Sequence, residues 1–282
     1  MKKKLLVSFS GGRTSGFMLW YILNVWSKRE EFDITVIFAN TGKEHEGTLE
    51  FVKKCGEEWG IDIVWIEAVH RINGKLLSKK GWKVGHKVVD FNSASRNGEP
   101  FEEMISVLGV PCSEAPFCSD QLKRKPIESY LKSIGWRQFY KAIGIRADEI
   151  DRVNPKFKEK KIIYPLVSDI QVTKQDVLKW WRGNNFNLEV PKDLGNCDNC
   201  WKKDFKVLVR NSKNYPDSFN WWQRMIDTYK TIRAKGKKVS FFRGGKTIKE
   251  IFEMNKKTEE EVNLFSEQFK LDGCSESCEV YK

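Results

Sequence analysis

Apolar positions along the chain alternate between short unbroken runs and stretches at helical spacing. Leu5 to Phe9 is a short apolar run that ends in Ser10-Gly-Gly-Arg-Thr-Ser15, and apolar residues then recur with helical period from Gly16 to Trp26. That segment predicts strand, glycine turn, helix. Asp33 to Ala39 is rich in β-branched and aromatic residues, Thr48 to Trp59 has helical periodicity, and Ile61 to Glu67 reads as a third strand. Strands alternating with helices predict an α/β fold with a parallel sheet and right-handed crossovers. The opening Met1-Lys-Lys-Lys-Leu-Leu-Val has the charged head of an export signal, but its apolar run ends at Ser8 and it reads as the first strand.

From Arg71 to Gly109 the pattern gives way to Gly, Asn, Ser and Lys, which predicts a long loop and a segment that covers substrate. Regularity returns with a helix at about Leu122 to Ser133, a strand at Gln138 to Ile143, and a helix capped by Thr173 that runs to Trp181. The α/β body is expected to end near Pro191, dividing the chain into residues 1–191 and 192–282. The second region carries Cys pairs, Trp221-Trp222, and helical periodicity at about Ser218 to Ala234 and Thr258 to Phe269. Thr228 to Lys249 holds eight Lys or Arg and no Asp or Glu, either a track for a phosphate backbone or a solvated surface. No stretch approaches the roughly 18 apolar residues of a spanning helix, which excludes an integral membrane protein.

Composition narrows the function classes. With 282 residues, 40% hydrophobic and 13% aromatic, the chain can build one large domain or one domain with a substantial appendage. Seven cysteines without an export signal favour reduced thiols, metal ligation or redox chemistry over a disulfide framework, and the expected compartment is the cytoplasm. Lys plus Arg number 50 against 38 Asp plus Glu, a net charge of +12 that suits a polyanionic partner or a phosphorylated substrate.

A Ser-Gly-Gly turn between a buried strand and a helix either simply joins the two or offers backbone N–H groups at the positive end of the helix dipole, a setting for phosphate. The neighbouring motifs choose between these. Val7-Ser-Phe-Ser-Gly-Gly-Arg-Thr-Ser15 resembles the PP-loop of the adenine nucleotide alpha hydrolase-like superfamily. Ala39-Asn-Thr-Gly-Lys-Glu-His-Glu-Gly-Thr-Leu-Glu-Phe51 resembles the TG-x-E…T segment of phosphoadenosine phosphosulfate (PAPS) reductases. Phe117-Cys-Ser-Asp-Gln-Leu-Lys-Arg-Lys-Pro126 is similar to their C-x-x-x-(L/M)-K-x-x-P stretch, and Gly144-Ile-Arg-Ala-Asp-Glu149 to their G-(I/L)-R-x-(D/E) segment. Gly195-Asn-Cys-Asp-Asn-Cys200 completes the series, and the tail with Gly273-Cys-Ser-Glu-Ser-Cys278 resembles a PAPS-reductase-like branch common in bacteriophages and mobile elements.

The resemblance implies an open, mostly parallel, doubly wound five-stranded sheet with a Cys-containing, mainly helical C-terminal extension. It implies an adenine nucleotide, ATP or PAPS, across the carboxyl ends of the strands. By position, Ser10, Gly11, Gly12, Arg13, Thr14 and Ser15 would hold phosphates, Asn40, Thr41 and Gly42 would lie beside the adenosine, Glu44 would be a further nucleotide-binding residue, and Arg146 would add an anion contact. Two departures stand out. Thr14 occupies the place of the Asp that helps organise magnesium pyrophosphate in SGGxDS loops, and the C terminus lacks the E-C-G-(I/L)-H segment that carries the nucleophile of sulfonucleotide reductases.

The Cys197-x-x-Cys200 spacing can bring two sulfurs to one metal or cluster. In the iron-sulfur branch of the reductases, cysteines before K-x-x-P and a later CxxC bind a [4Fe-4S] cluster, and Cys118, Cys197 and Cys200 fall on that pattern. The doubled Cys of that branch is missing, so Cys112, Cys274 or Cys278 would supply the fourth ligand. The alternatives are structural zinc and a sulfur-handling dithiol at Cys274 and Cys278, with Cys118 a further candidate nucleophile. Cys55 reads as core. Of the histidines only His45 lies in a motif, as substrate contact or solvated residue. In Trp180-Trp181 and Trp221-Trp222 one ring of each pair is expected in the core rather than stacked on bases.

Three readings follow. The first is an ATP-dependent enzyme that activates an acceptor by α-phosphate cleavage and passes it sulfur, with DNA or tRNA among the acceptors and a separate sulfur donor. The second is a PAPS or adenosine phosphosulfate reductase served by a thioredoxin-like reductant. The third is a non-catalytic nucleotide sensor or nucleic-acid-binding accessory. A homo-oligomer is compatible with each.

Overall fold

The computed structural model describes residues 2–79, 81–112, 115–191, 193–232, 241–242 and 245–268. Strand β1 (Lys3–Ser8) passes through the glycine turn into α1 (Arg13–Asn24), and β2 (Phe32–Asn40), α2 (Glu46–Trp59) and β3 (Ile63–Val69) follow. A short hairpin of β4 (Arg71–Ile72) and β5 (Lys75–Leu76) leads to β6 (Gly85–Val89) and α3 (Glu99–Leu108). A π-helical turn, Asp120–Arg124, runs directly into α4 (Lys125–Ser133), after which come β7 (Tyr140–Ala142), β8 (Ile162–Ile163), α5 (Pro165–Ser168) and α6 (Lys174–Arg182). Beyond Pro191 the chain forms α7 (Phe205–Asn214), α8 (Asn220–Tyr229), α9 (Ile248–Glu253) and α10 (Glu259–Gln268).

The six-stranded sheet has the order β6-β3-β2-β1-β7-β8, parallel except for β6, which runs antiparallel to β3. The continuous apolar run of β1 is explained by burial on both faces. Leu5 and Val7 point into a cluster with Met18, Leu19, Leu49, Val52 and Trp181 from α1, α2 and α6, while Leu6 points into another with Ile127 and Leu131 of α4. Helices on both faces make the sheet doubly wound, the expected α/β class. No helix among the described residues is long and apolar enough to cross a membrane.

The segment expected as a loop over 71–109 instead holds the hairpin, an edge strand and a helix. Its strands are two to five residues long, too short to show a period. The helix α3 does carry the signal, with Phe101, Met104, Ile105 and Leu108 buried at helical spacing. Gly98 and Gly109, both at positive φ (85° and 84°), bracket it. The sheet has a sixth strand beyond the five expected because β6 adds to the β3 edge.

A third cluster joins the two halves of the sequence. It holds Ala68, Phe101, Met104, Leu108, Phe117 and Leu122 together with Trp201, Phe205, Leu208, Trp222, Phe241 and Ile251. Within the tryptophan pairs, Trp181 and Trp222 are fully buried and their neighbours are partly so, as core packing requires.

Candidate functional site

A cavity of about 340 Å³ opens where the chain leaves β1 toward β2 on one side and returns in β7 on the other. Adjacent strand ends diverge at such a switch point, which is where open α/β sheets take their ligands. Its floor is Ser8 at the end of β1 and Ser10–Ser15 beyond it, with Ile143, Gly144 and Arg146 after β7. Lys174 at the start of α6 and the strap Leu188, Val190 and Pro191 form one wall, and Asp193, Gly195, Asn196, Lys203 and Asp204 form another.

The glycine loop is shaped by sterics. Gly11 has φ +75°, and a Cβ there would lie 2.7 Å from Thr48 Cγ2 and 3.1 Å from Val52 Cγ2, so any side chain would collide with α2. Gly12 is the N-cap of α1; a Cβ there would meet only Ser10 Oγ, at 3.6 Å. The loop is pinned by Ser10 N–H donating to Ser15 Oγ (3.2 Å) and Ser15 Oγ donating to the Gly12 carbonyl (3.0 Å). No side chain caps α1 and its first turn holds no acid, so the positive end of a 12-residue helix faces the cavity. Gly144 brings β7 against the loop, since a Cβ there would be 3.2 Å from Ser15 Cα.

Arg146 is 5% exposed and its guanidinium is held by Asp148 (2.9 Å) and Glu149 (3.3 Å) while donating to Thr14 Oγ1 at 3.0 Å. The position of Thr14 thus offers a hydroxyl backed by a cation. Arg13 donates through Nε to Asn187 Oδ1 (2.8 Å) and through Nη2 to the Leu188 carbonyl (2.6 Å), so it fastens the strap to the glycine loop. Trp181 Nε1 donates to the Arg13 carbonyl at 2.8 Å and fixes the same turn from α6.

Sequence reasoning missed Lys203. The residue is 9% exposed and its ammonium donates to the Asp193 carbonyl; burial pushes its pKa down, opposed by Cys200, Asp198, Cys197 and Asp193 around it. Lys203 therefore stands between the cavity and the two thiols of the CxxC turn. Its only sequence signal is its place three residues after Cys200.

Asn40, Thr41, Gly42 and Glu44 do not line this cavity. Asn40 Nδ2 donates to Glu67 Oε1 (2.7 Å) and to the Ser95 carbonyl (2.8 Å), and Thr41 gives its N–H and hydroxyl to Glu44 Oε2 (2.9 and 2.8 Å). The turn they build supports the cysteines: Glu44 bridges to Cys197, Thr41 Oγ1 lies 3.7 Å from Cys197 Sγ, and Lys43 pairs with Asp198 at 2.9 Å. Lys123 on the π turn approaches Glu44 Oε1 at 3.7 Å. His45 caps α2, its Nδ1 accepting from Gly47 N–H.

Cys118 and Cys197 are buried in one cluster, with Cys200 packed against it. Among the described residues, however, no three His, Cys, Asp or Glu are grouped so as to hold one metal ion. Cys274 and Cys278, and five of the eight basic residues of the run 228–249, lie outside the described residues. Cys112 and Cys55 are described as free thiols, the latter buried in the core with its pKa pushed up by that burial.

The sequence pattern of the phosphoadenosine phosphosulfate reductase domain matches residues 4–187. The chain is 31% identical over 284 residues to the uncharacterized nin region protein ORF290 of Escherichia phage lambda, covering 98% of this chain and 94% of that one. An uncharacterized protein of Methanocaldococcus jannaschii is 23% identical over 237 residues, 79% of this chain and 47% of its own length. Among solved structures, the U34-tRNA thiolase NcsA from Methanococcus maripaludis with its [4Fe-4S] cluster is similar with a TM-score of 0.40 and 17% identity, covering 84% of this chain and 76% of that chain.

Proposed function

This chain belongs to the phosphoadenosine phosphosulfate reductase domain family, and from that premise we propose that it binds an adenine nucleotide in the β1/β7 cavity and uses it in sulfur chemistry. One observation carries the reading: the uncapped N-terminus of α1, the Gly11 turn and Arg146 converge on one cavity whose far wall, Asp193, Gly195, Asn196, Lys203 and Asp204, flanks the CxxC turn. Ser10 to Ser15, with Arg146, hold the phosphates in this reading, and Lys203 ties the nucleotide side of the wall to Cys197 and Cys200.

The reaction inferred is attack by an acceptor oxygen on the α-phosphate of ATP. The Pα–O bond to pyrophosphate breaks, and the leaving group departs with its electron pair, stabilised by the helix dipole and the loop N–H groups. A sulfur nucleophile then forms a bond to the activated carbon and AMP leaves with the oxygen. A second reading, reduction of PAPS by a thiolate attacking its sulfur, is favoured by the hydroxyl of Thr14 facing Arg146 in place of a carboxylate.

Incubation with labelled ATP or labelled PAPS separates the readings. Pyrophosphate and AMP support the first, and sulfite with the nucleotide released supports the second. Nucleotide-induced thermal stabilisation without turnover leaves a nucleotide-binding protein, and no stabilisation by either ligand sinks all three.

A further inference from the structure

The stretch from Ala68 to Val89 contains Arg71, Lys75, Lys79, Lys80, Lys83 and Lys87 and no Asp or Glu. The structure folds its described residues as one lobe on the β6 edge of the sheet. Leu77 N–H donates to the His70 carbonyl, Lys83 N–H to Ser78 Oγ, and β6 pairs with β3. Lys75, Lys79, Lys83 and Lys87 are exposed and make no ion pair with a described residue. The acids that border the lobe have other partners than these lysines: Glu103 accepts from the N–H groups of His70 and Arg71, Asp120 holds Arg124 and Lys125, and Glu128 holds Arg124.

Among these lysines stand exposed apolar side chains, Ile72 at 56%, Leu76 at 41%, Trp82 at 41% and Val88 at 55%. Trp82 is braced. Its ring meets Phe117 edge-on with centroids 6.0 Å apart, Lys125 lies 5.2 Å from its centroid, and Lys125 Nζ donates to the Trp82 carbonyl at 2.7 Å. A ring fixed at its edge and by a cation is a stacking platform rather than a free wedge for a bilayer. Phe117 is followed directly by Cys118, so the lobe abuts the buried thiol cluster.

We propose that this edge lobe docks a single-stranded segment of nucleic acid, with the unpaired lysines neutralising its phosphates and Trp82 stacking on a base. Unpaired cations gain affinity from counterion release, and base stacking on an aromatic ring is tolerant of sequence. Only the idea that the bound strand is the sulfur acceptor rests on the function proposed above. The binding itself rests on the lobe.

The test is fluorescence anisotropy of labelled single-stranded RNA, single-stranded DNA and duplex DNA, each titrated with the full chain at low and moderate salt, without nucleotide. Lys75→Ala combined with Lys83→Ala and Lys87→Ala should weaken single-strand binding at least tenfold and flatten the log–log salt slope by about 2, since each neutralised phosphate of a single strand contributes roughly 0.7. Trp82→Ala should lose about tenfold and Trp82→Tyr should restore most of it. Preference between RNA and DNA names the source of the strand. The proposal is overturned if the triple variant binds single strands like the parent. It is also overturned if anionic vesicles, and not nucleic acid, lose binding in that variant, or if only Lys235→Ala with Lys237→Ala and Lys238→Ala abolishes the complex. Labelled-nucleotide turnover is read separately, so binding without turnover keeps the lobe and sinks the sulfur-transfer reading.

Discussion

Two adjacent glycines do different work, and the difference is measurable. At Gly11 the backbone is left-handed and a Cβ would press on Thr48 and Val52, so Gly11→Val should cost about 2 kcal/mol or more in folding stability, from strain and overpacking together. At Gly12 the backbone is extended and the space ahead is the cavity, so Gly12→Val should leave the melting temperature nearly unchanged while abolishing stabilisation by ATP and PAPS. Thermal denaturation of both variants with and without nucleotide checks this pair. If Gly12→Val is still stabilised like the parent, the loop is a turn and nothing more. The sequence alone marks both glycines alike, because the helix that crowds Gly11 is thirty-odd residues away along the chain.

At the scale of elements, what was legible followed the strength of each local pattern. The strands β1, β2 and β3 and the helices α1 and α2 are long and periodic, so their order and the glycine loop could be read directly. The π turn, the two-residue strands and the cavity wall from Asp193 to Asp204 could not, because their conformation is set by contacts with distant elements. The π turn illustrates the consequence. It buries Gln121 near the fully buried His70 that follows β3, and the interaction with Gln121 only partly offsets the burial of the imidazole. Burial pushes the His70 pKa down to about 4 from the usual 6.5, so the folded protein refuses a proton that the unfolded chain accepts. Stability should therefore be fully present above pH 6.5 and fall as pH drops toward 4, by up to about 3 kcal/mol from this group. Urea denaturation across that range should show a shallower pH dependence for His70→Gln than for the parent. Equal slopes would mean that His70 does not carry the effect.

For the molecule as a whole, the question is whether the chain can be divided near Pro191. The cluster shared by Phe101, Met104, Leu108, Phe117 and Leu122 with Trp201, Phe205, Leu208 and Trp222 crosses that boundary, and so does the cavity, which takes Lys203 and Asp193 from beyond it. Uncovering five large apolar side chains costs about 1.5–3 kcal/mol each, on the order of 10 kcal/mol in sum. That equals the entire stability of an ordinary domain, roughly 5–15 kcal/mol. A fragment of residues 1–191 should accordingly be insoluble, or should bind a hydrophobic dye and melt without a cooperative transition, and nucleotide should not rescue it because one cavity wall is gone. Dye binding, calorimetry and nucleotide-induced shifts of the fragment beside the full chain decide the point. A fragment that melts cooperatively and is stabilised by nucleotide like the full chain would make residues 192–282 an independent appendage, and Lys203, which lies beside the thiols of Cys197 and Cys200, would then have to reach the nucleotide from a separate body rather than from the cavity wall it helps to form.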